Sequence, residues 1–318
     1  MKKTRIAING FGRIGRLLFR QIWGNKELEI VAINDLGDIE NLAYLLKYDS
    51  VYRQFKEGVK IDGDCLVVAG KKIKVFQEKD PAKLPWKKMD IDIAVESTGV
   101  FESFEKASLH LAAGAKKVVL TAPAKDGERA DAKTVLLGVN EKEFKKCRIT
   151  SNGSCTTNAA SPVAAIMAET VGIKKAVLNT VHAYTATQSV VDGPARGKDF
   201  RRGRAAAQNM APSTTGAAIS VARALPELKG KFDGVAVRVP VVCGSLVDFT
   251  FMAKKKTSVK EINDIFKKAA KDPRWKGILK TVDDQIVSSD IVGEPYGAVI
   301  DLKFTQVIDG DLVKVFSW

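Results

Sequence analysis

Apolar residues in the first half of the chain come in short runs that alternate with stretches of helical spacing. Thr4–Asn9 is an isoleucine-rich run, Leu17–Trp23 has apolar positions three and four apart, and Glu29–Asn34 is a second apolar run. The alternation continues with a helical pattern over 39–47, short strand-like pieces over 59–76, and a buried-strand run at Asp90–Glu96. A helix follows from about Glu102 to Ala113, then a strand at Lys117–Leu120. Strand and helix alternating in this way predict an α/β unit with a doubly wound, mostly parallel sheet. Near residue 153 the rhythm changes. An alanine-rich helical run covers Ala159–Val171, with Pro162 inside it predicting a kink or an early break. Longer strands are expected at Val177–Thr185, Gly234–Pro240, 246–253 and 298–304, with an amphipathic helix at 259–270. Long strands covered on one face predict an α+β unit with a largely antiparallel sheet. The division expected is 1–153 and 154–318.

The turn after the first run reads Gly10-Phe11-Gly12-Arg13-Ile14-Gly15. A G-x-G-x-x-G by itself is weak, but here it joins a strand to a helix, and Asp35 closes the second strand about twenty residues on. That context predicts a Rossmann-type dinucleotide site. Gly10 permits the tight turn, Gly12 lets the backbone approach a pyrophosphate, and Gly15 lets helix and strand pack closely. The pyrophosphate would sit on the helix N-terminus. Asp35 would accept from a ribose diol and repel a 2′-phosphate, which favours NAD over NADP. Thr98, Gly99 and Thr121 follow strand carboxyl ends, where ligands bind in such sheets, although ordinary turn chemistry also accounts for them.

Composition narrows the picture only a little. The 318 residues are 45% hydrophobic and 28% charged, with no apolar run of membrane-spanning length. Met1-Lys2-Lys3 leads straight into a strand pattern with no signal-peptide core, so a cytoplasmic protein is expected. Four scattered cysteines and two histidines argue against a metal site and against a disulfide framework. The net charge of +14 points to anionic partners, spread along the chain rather than gathered on one nucleic-acid face.

The most informative stretch is Ser151-Asn152-Gly153-Ser154-Cys155-Thr156-Thr157-Asn158. It sets a cysteine just ahead of a helix, where the macrodipole and free N–H groups favour thiolate and could hold an oxyanion. A lone cysteine is more often a small core residue. The polar flanks and a strand carrying His182 turn the reading toward a nucleophile and its base, with His110 the only other histidine. Gln188–Arg204 is a long irregular basic segment, and such loops are functional or disordered. Pro212–Gly216 opens another alanine-rich helix, a second anion-site candidate. Arg238, among apolar neighbours, needs a carboxylate or a phosphate.

Together these stretches closely resemble the phosphorylating glyceraldehyde-3-phosphate dehydrogenase family. The likeness rests on Asn9–Arg16, Ser151–Asn158, His182-Ala183-Tyr184-Thr185 and Arg238-Val239-Pro240, and it runs in register from residue 4 to Trp318. It implies Cys155 as nucleophile and His182 as its activating base. It also implies substrate and inorganic phosphate binding by Ser154, Thr156, Thr185, Arg201, Thr215, Gly216 and Arg238. NAD contacts are implied at the Gly10–Gly15 stretch, including Phe11, Arg13 and Ile14, and at Asp35, Lys79, Thr98, Gly99 and Thr121. Pro194 with Asp35 is similar to the NAD-specific members. The segment 184–207 is similar to one that packs between subunits of the family's homotetramer. The implied reaction is oxidation of the aldehyde through a Cys155 hemithioacetal and thioester, with phosphate releasing an acyl phosphate.

Two other functions compete: an erythrose-4-phosphate dehydrogenase-like enzyme, which would alter the phosphate pockets, and an inactive scaffold binding NAD or RNA. The chain stops at Phe316-Ser317-Trp318, where family members continue with an asparagine that holds the nicotinamide amide and with a terminal helix. The resemblance implies an exposed apolar groove on the NAD unit, and weaker NAD binding and activity, without that segment.

Overall fold

The run Thr4–Asn9 forms a strand (β1) that becomes fully buried toward its carboxyl end, and Gly10, at φ +92°, turns the chain into helix α1, Arg13–Ile22. A Cβ on Gly10 would lie 2.5 Å from the backbone nitrogen of Thr98, and one on Gly15 would lie 2.1 Å from the Gly10 carbonyl oxygen. Strand, turn and helix therefore meet backbone to backbone, a contact that only glycine permits. The structure is a computed structural model that describes residues 2–195 and 197–318. Met1 of the amino-terminal stretch and Arg196 of the basic loop lie outside the described residues.

The chain divides into two compact units, Met1–Val135 with Lys142–Gly153, and Leu136–Glu141 with Ser154–Trp318. In the first, β1 and α1 are followed by β2 (Leu28–Asn34), α2 (Ile39–Lys47), β3 (Val59–Asp62), β4 (Cys65–Val68) and β5 (Lys71–Phe76). Then come β6 (Ile93–Glu96), α3 (Phe104–Ala107), α4 (Leu109–Ala112), β7 (Lys117–Leu120), β8 (Ala132–Thr134) and β9 (Ile149–Ser151). Among the described residues these strands make one nine-stranded sheet in the order β3-β4-β5-β2-β1-β6-β7-β9-β8. Six of its eight pairings are parallel, and only β3–β4 and β4–β5 are antiparallel. The winding reverses between β1 and β6. One core, with Ile8, Phe19, Ile33 and Leu46, is distinct from another built on Ala7, Ala32, Trp86 and Ala94.

Two details differ from the sequence reading. The helix expected over 102–113 is broken at Ser108, whose hydroxyl donates to the Glu105 carbonyl, so α3 and α4 are single turns. The strand expected from Asp90 begins only at Ile93. Asp90 sits at φ +48°, and the Asp92 carboxylate accepts from the Arg5 backbone N–H.

The second unit opens with α5 (Cys155–Glu169), followed by β10 (Ile173–Ala183), β11 (Ala211–Thr214), α6 (Ala217–Ala224), β12 (Phe232–Val239) and β13 (Ser245–Ala253). It ends with α7 (Val259–Ala269), β14 (Leu279–Val282), β15 (Ala298–Ile308) and β16 (Leu312–Ser317). The sheet order is β11-β12-β10-β13-β16-β15-β14, antiparallel except for β10–β12 and β14–β15. Alternation in β13 buries Ser245, Val247, Phe249, Phe251 and Ala253, and the apolar members of that face share one core with α5, α6 and α7.

Pro162 does not end α5. Ala159–Met167 is buried without a break, and that burial holds the helix through the missing hydrogen bond. The segment between β10 and β11 is not a loose loop. Ser189 and Arg202 are joined by a backbone hydrogen bond, as are Gly193 and Gly203, and the Asp192 carboxylate accepts from the Ala205 N–H. No helix among the described residues is long and apolar enough to cross a membrane.

Candidate active site

Cys155 is the first residue of α5. Ser154 before it is extended, and its hydroxyl oxygen accepts from the Thr157 N–H at 3.1 Å, so a side chain caps the helix that presents the thiol. The Ser154 hydroxyl also meets that of Thr157, and Asn158 donates back to the Ser154 carbonyl. The Cys155 Sγ lies 3.1 Å from Nε2 of His182 near the end of β10. The residue as a whole is exposed, yet protein crowds its sulfur, and that burial pushes the thiol up. The His182 hydrogen bond and charge, then the Thr156 N–H and hydroxyl, outweigh it and bring the pKa down to about 7. A thiol so placed is substantially thiolate near neutral pH.

β10 and β12 run parallel in a register that sets His182 opposite Arg238. The Arg238 Nη1 lies 2.5 Å from His182 Nδ1 and donates to the Ala183 carbonyl at 3.1 Å. Nδ1 is also 2.7 Å from that carbonyl. Burial lowers the Arg238 guanidinium, Cys155 opposes this, and Arg202 adds to it. Arginine remains a cation in such a site.

Beside Arg238 is a small cleft lined by Gln188, Arg201, Arg202, Ala211, Pro212 and Ser213. Arg201 is bound to Asp199 at 2.7 Å and is more than half exposed. Arg202, which the sequence reading passed over, donates to Thr187 Oγ1 at 2.9 Å and to Ser213 Oγ at 3.3 Å. The second of two adjacent arginines carries no distinguishing pattern in sequence, and only the fold of the loop gives it these partners. Thr185 meets Thr187 through its hydroxyl. Thr156 is buried, with its hydroxyl 3.5 Å from that of Thr180. Thr215 Oγ1 accepts from Ala217 N–H, and Gly216 starts α6 with no side-chain cap, leaving N–H groups at that end for an anion.

The first unit carries the glycine-rich turn. α1 starts at Gly12 without a side-chain cap, and a Cβ on Gly12 would meet nothing within 4 Å. This open end of a helix fits a pyrophosphate. Arg13 and Ile14 are exposed on its first turn, and Lys79 is exposed after β5. The Phe11 ring is fully buried against Phe19, so Phe11 offers the turn its backbone. Its N–H donates to Asp35 Oδ2 at 2.6 Å, while Asp35 Oδ1 accepts from Gly37 N–H at 2.8 Å. Each carboxylate oxygen keeps a lone pair for a ribose hydroxyl. Gly99 is exposed at φ +70°, and Thr121 Oγ1 donates to the Glu96 carbonyl at 3.1 Å. The donor set, the open glycine and the free helix end fit NAD. Glu96 itself, buried below Thr98, gave no sequence signal because it reads as the last residue of a strand.

Two family models match the chain: the NAD binding domain of glyceraldehyde 3-phosphate dehydrogenase over residues 4–104, and its C-terminal domain over residues 154–318. A Thermotoga maritima protein named glyceraldehyde-3-phosphate dehydrogenase is 52% identical over 318 residues, covering 99% of this chain and 93% of that one. An Aspergillus oryzae protein named glyceraldehyde-3-phosphate dehydrogenase B is 46% identical over 316 residues, covering 99% and 92%. A Streptomyces coelicolor protein of the former name is 46% identical over 317 residues, covering 99% and 93%.

Proposed function

The chain belongs to the glyceraldehyde-3-phosphate dehydrogenase family, and from that premise we propose that it converts glyceraldehyde 3-phosphate and inorganic phosphate to 1,3-bisphosphoglycerate as NAD is reduced. The observation that carries this reading is the Cys155 Sγ at the start of α5, 3.1 Å from His182 Nε2. NAD, held by the Gly10–Gly15 turn, Asp35, Thr98, Gly99 and Thr121, supplies the hydride acceptor when bound.

The Cys155 thiolate attacks the aldehyde carbon to give a hemithioacetal on the sulfur. The N–H groups at the start of α5 stabilise the oxygen that gains charge in that attack. His182 Nε2, which bears the ring proton, gives it to that oxygen as the hemithioacetal forms and takes it back as the carbon is oxidised, leaving a thioester on Cys155. Inorganic phosphate displaces the thiolate, and the acyl phosphate departs. Two anion sites are needed, one for the phosphate that the substrate carries and one for the phosphate that attacks. Arg238, Arg202 and Thr185 supply one group of donors, and Thr215, Gly216 and Arg201 another. Ser154 and Thr156 hold the turn on which the sulfur rides.

The same proposal includes a homotetramer. The folded-back loop after β10 exposes Val190 and Phe200 to about 82% and 77%, apolar surface that association would cover. It also includes a cytoplasmic setting, which suits a thiol that must stay reduced in a chain whose four cysteines form no disulfide.

The test is NADH formation on mixing the protein with NAD and glyceraldehyde 3-phosphate, with and without phosphate. Sustained turnover only with phosphate is expected, with a single stoichiometric burst without it. A folded protein that forms no NADH in either mixture overturns the proposal.

A further inference from the structure

Below the Thr98–Gly99 turn lies a carboxylate that none of the chemistry above uses. Glu96, the last residue of β6, is 1% exposed. Its Oε1 accepts from the Thr98 N–H at 2.8 Å and from the Thr98 hydroxyl at 2.5 Å. Its Oε2 accepts from Asn9 Nδ2 at 2.5 Å and lies 3.0 Å from Nε2 of His110. His110 is wholly buried, and its Nδ1 lies 3.0 Å from Trp86 Nε1.

An indole N–H only donates, so His110 Nδ1 accepts and the imidazole proton sits on Nε2, aimed at Glu96. His110 is then a neutral donor rather than a counter-ion. The four groups that hold the carboxylate are an amide, an imidazole, a hydroxyl and a backbone N–H, and none is a cation. Burial pushes the Glu96 carboxyl up, but the bonds from His110, Thr98 and Asn9 outweigh it and hold it below the ordinary range. The result is a buried anion whose charge is solvated by dipoles and not cancelled.

All four of its neighbours are donors, so this corner takes a group that accepts on both oxygens; an amide of the same volume would set its NH2 against two of them. The hydrogen bonds require the carboxylate, and an ionised carboxylate brings its charge into the fold. That charge acts on whatever binds beside it, and the position says what that is. β6 lies beside β1 where the winding of the sheet reverses, and a dinucleotide crosses such a sheet at that point. Asp35, at the end of β2, takes the ribose on the adenosine side. The nicotinamide half then belongs over β6 and β7, the side where Glu96 lies. Oxidised nicotinamide is a cation and reduced nicotinamide is neutral, so a fixed anion under that half separates the two.

We propose that the Glu96 carboxylate acts through space to make this site prefer the oxidised over the reduced form of the dinucleotide. The inference rests on the reading of this cleft as the NAD site. The test measures binding of ADP-ribose, NAD⁺ and NADH to the full chain and to Glu96→Gln. Glu96→Gln is expected to weaken NAD⁺ roughly tenfold, the order produced by one partly screened buried charge, and to move NADH and ADP-ribose less than about twofold. Equal weakening of all three ligands would show a purely structural role and overturn the proposal, as would no change in any. If the wild-type chain binds none of the three, the dinucleotide reading fails and takes this inference with it. Binding with an unchanged NAD⁺ to NADH ratio in the variant overturns this inference alone. Should Glu96→Gln not fold, ¹³C NMR of the wild-type protein labelled at the glutamate carboxyl carbon decides. The Glu96 signal should be that of a carboxylate at neutral pH and shift more with NAD⁺ than with NADH. A protonated Glu96, or equal shifts, overturns it.

Discussion

Arg238 Nη1 lies 2.5 Å from one nitrogen of the His182 ring, and the Cys155 sulfur lies 3.1 Å from the other. A guanidinium only donates, so in this arrangement Nδ1 accepts and the ring proton faces the sulfur. The His182 charge that helps to lower the thiol needs a proton on Nδ1 as well, one that can be donated to the Ala183 carbonyl, 2.7 Å off, once an anion draws Arg238 away. The ring is then a cation beside the thiol. Inorganic phosphate at constant ionic strength is therefore expected to raise the rate of Cys155 alkylation at pH 6 by roughly twofold or more. An unchanged or slower rate would contradict the coupling.

The thiol itself gives a pH profile. With a pKa near 7, alkylation of Cys155 should rise with pH through that value and then level, because the thiolate is the reacting form. In His182→Asn the main groups lowering the pKa are lost while burial still raises it, so the midpoint should move to higher pH. A midpoint that stays near 7 in the variant would assign the lowering to the helix end and Thr156 instead.

Cys155→Ser should reduce kcat by at least about a thousandfold, since a hydroxyl near neutral pH is a far weaker nucleophile than a thiolate. NAD binding, measured by titration, should stay within about twofold. Substantial residual turnover would remove Cys155 from the role of nucleophile.

Arg201 and Arg202 should separate. Arg201 is tied to Asp199 and half out in solvent, whereas Arg202 bonds Thr187 and Ser213 in the cleft beside Arg238. Arg202→Ala is expected to lower kcat/KM by about 2 kcal/mol, roughly thirtyfold. Arg201→Ala should cost several times less. Steady-state kinetics at varied phosphate would show whether the order is reversed.

Gly12 and Gly15 should fail in different ways. A Cβ at Gly12 meets nothing, so Gly12→Ala should leave thermal stability nearly unchanged while weakening NAD by about tenfold or more. A Cβ at Gly15 would meet the Gly10 carbonyl oxygen at 2.1 Å, so Gly15→Ala should lose stability by about 1–3 kcal/mol. Calorimetry and NAD titration on the two variants together distinguish room for a ligand from room for the fold.

Much of the fold was legible in the chain because its signals are local. The period of apolar residues marked β7 at Lys117–Leu120 and α2 at Ile39–Lys47. The glycine-rich turn marked the helix that follows β1. The errors were also local rules overruled by burial or competing bonds. Pro162 does not break the helix that the core carries past it, and Ser108 divides a helix that periodicity made continuous.

By itself, the sequence determined which residues stand in patterns that suit chemistry: a cysteine in a capped turn, a histidine near the end of a strand, an acid closing the second strand, and a run of small residues where a helix begins. Each depends on neighbours a few positions away, and chain order preserves those. Only the tertiary structure decided which of these groups meet. The parallel register of β10 and β12 sets His182 against Arg238 across 56 positions of sequence. The loop after β10 folds back to set Arg202 on Thr187 and Ser213 and Arg201 on Asp199. Burial gathers Asn9, Glu96, His110 and Trp86 into one network from three distant stretches. Distances, protonation and dielectric are properties of such meetings. They exist only once the chain has closed its sheets and expelled water from between them.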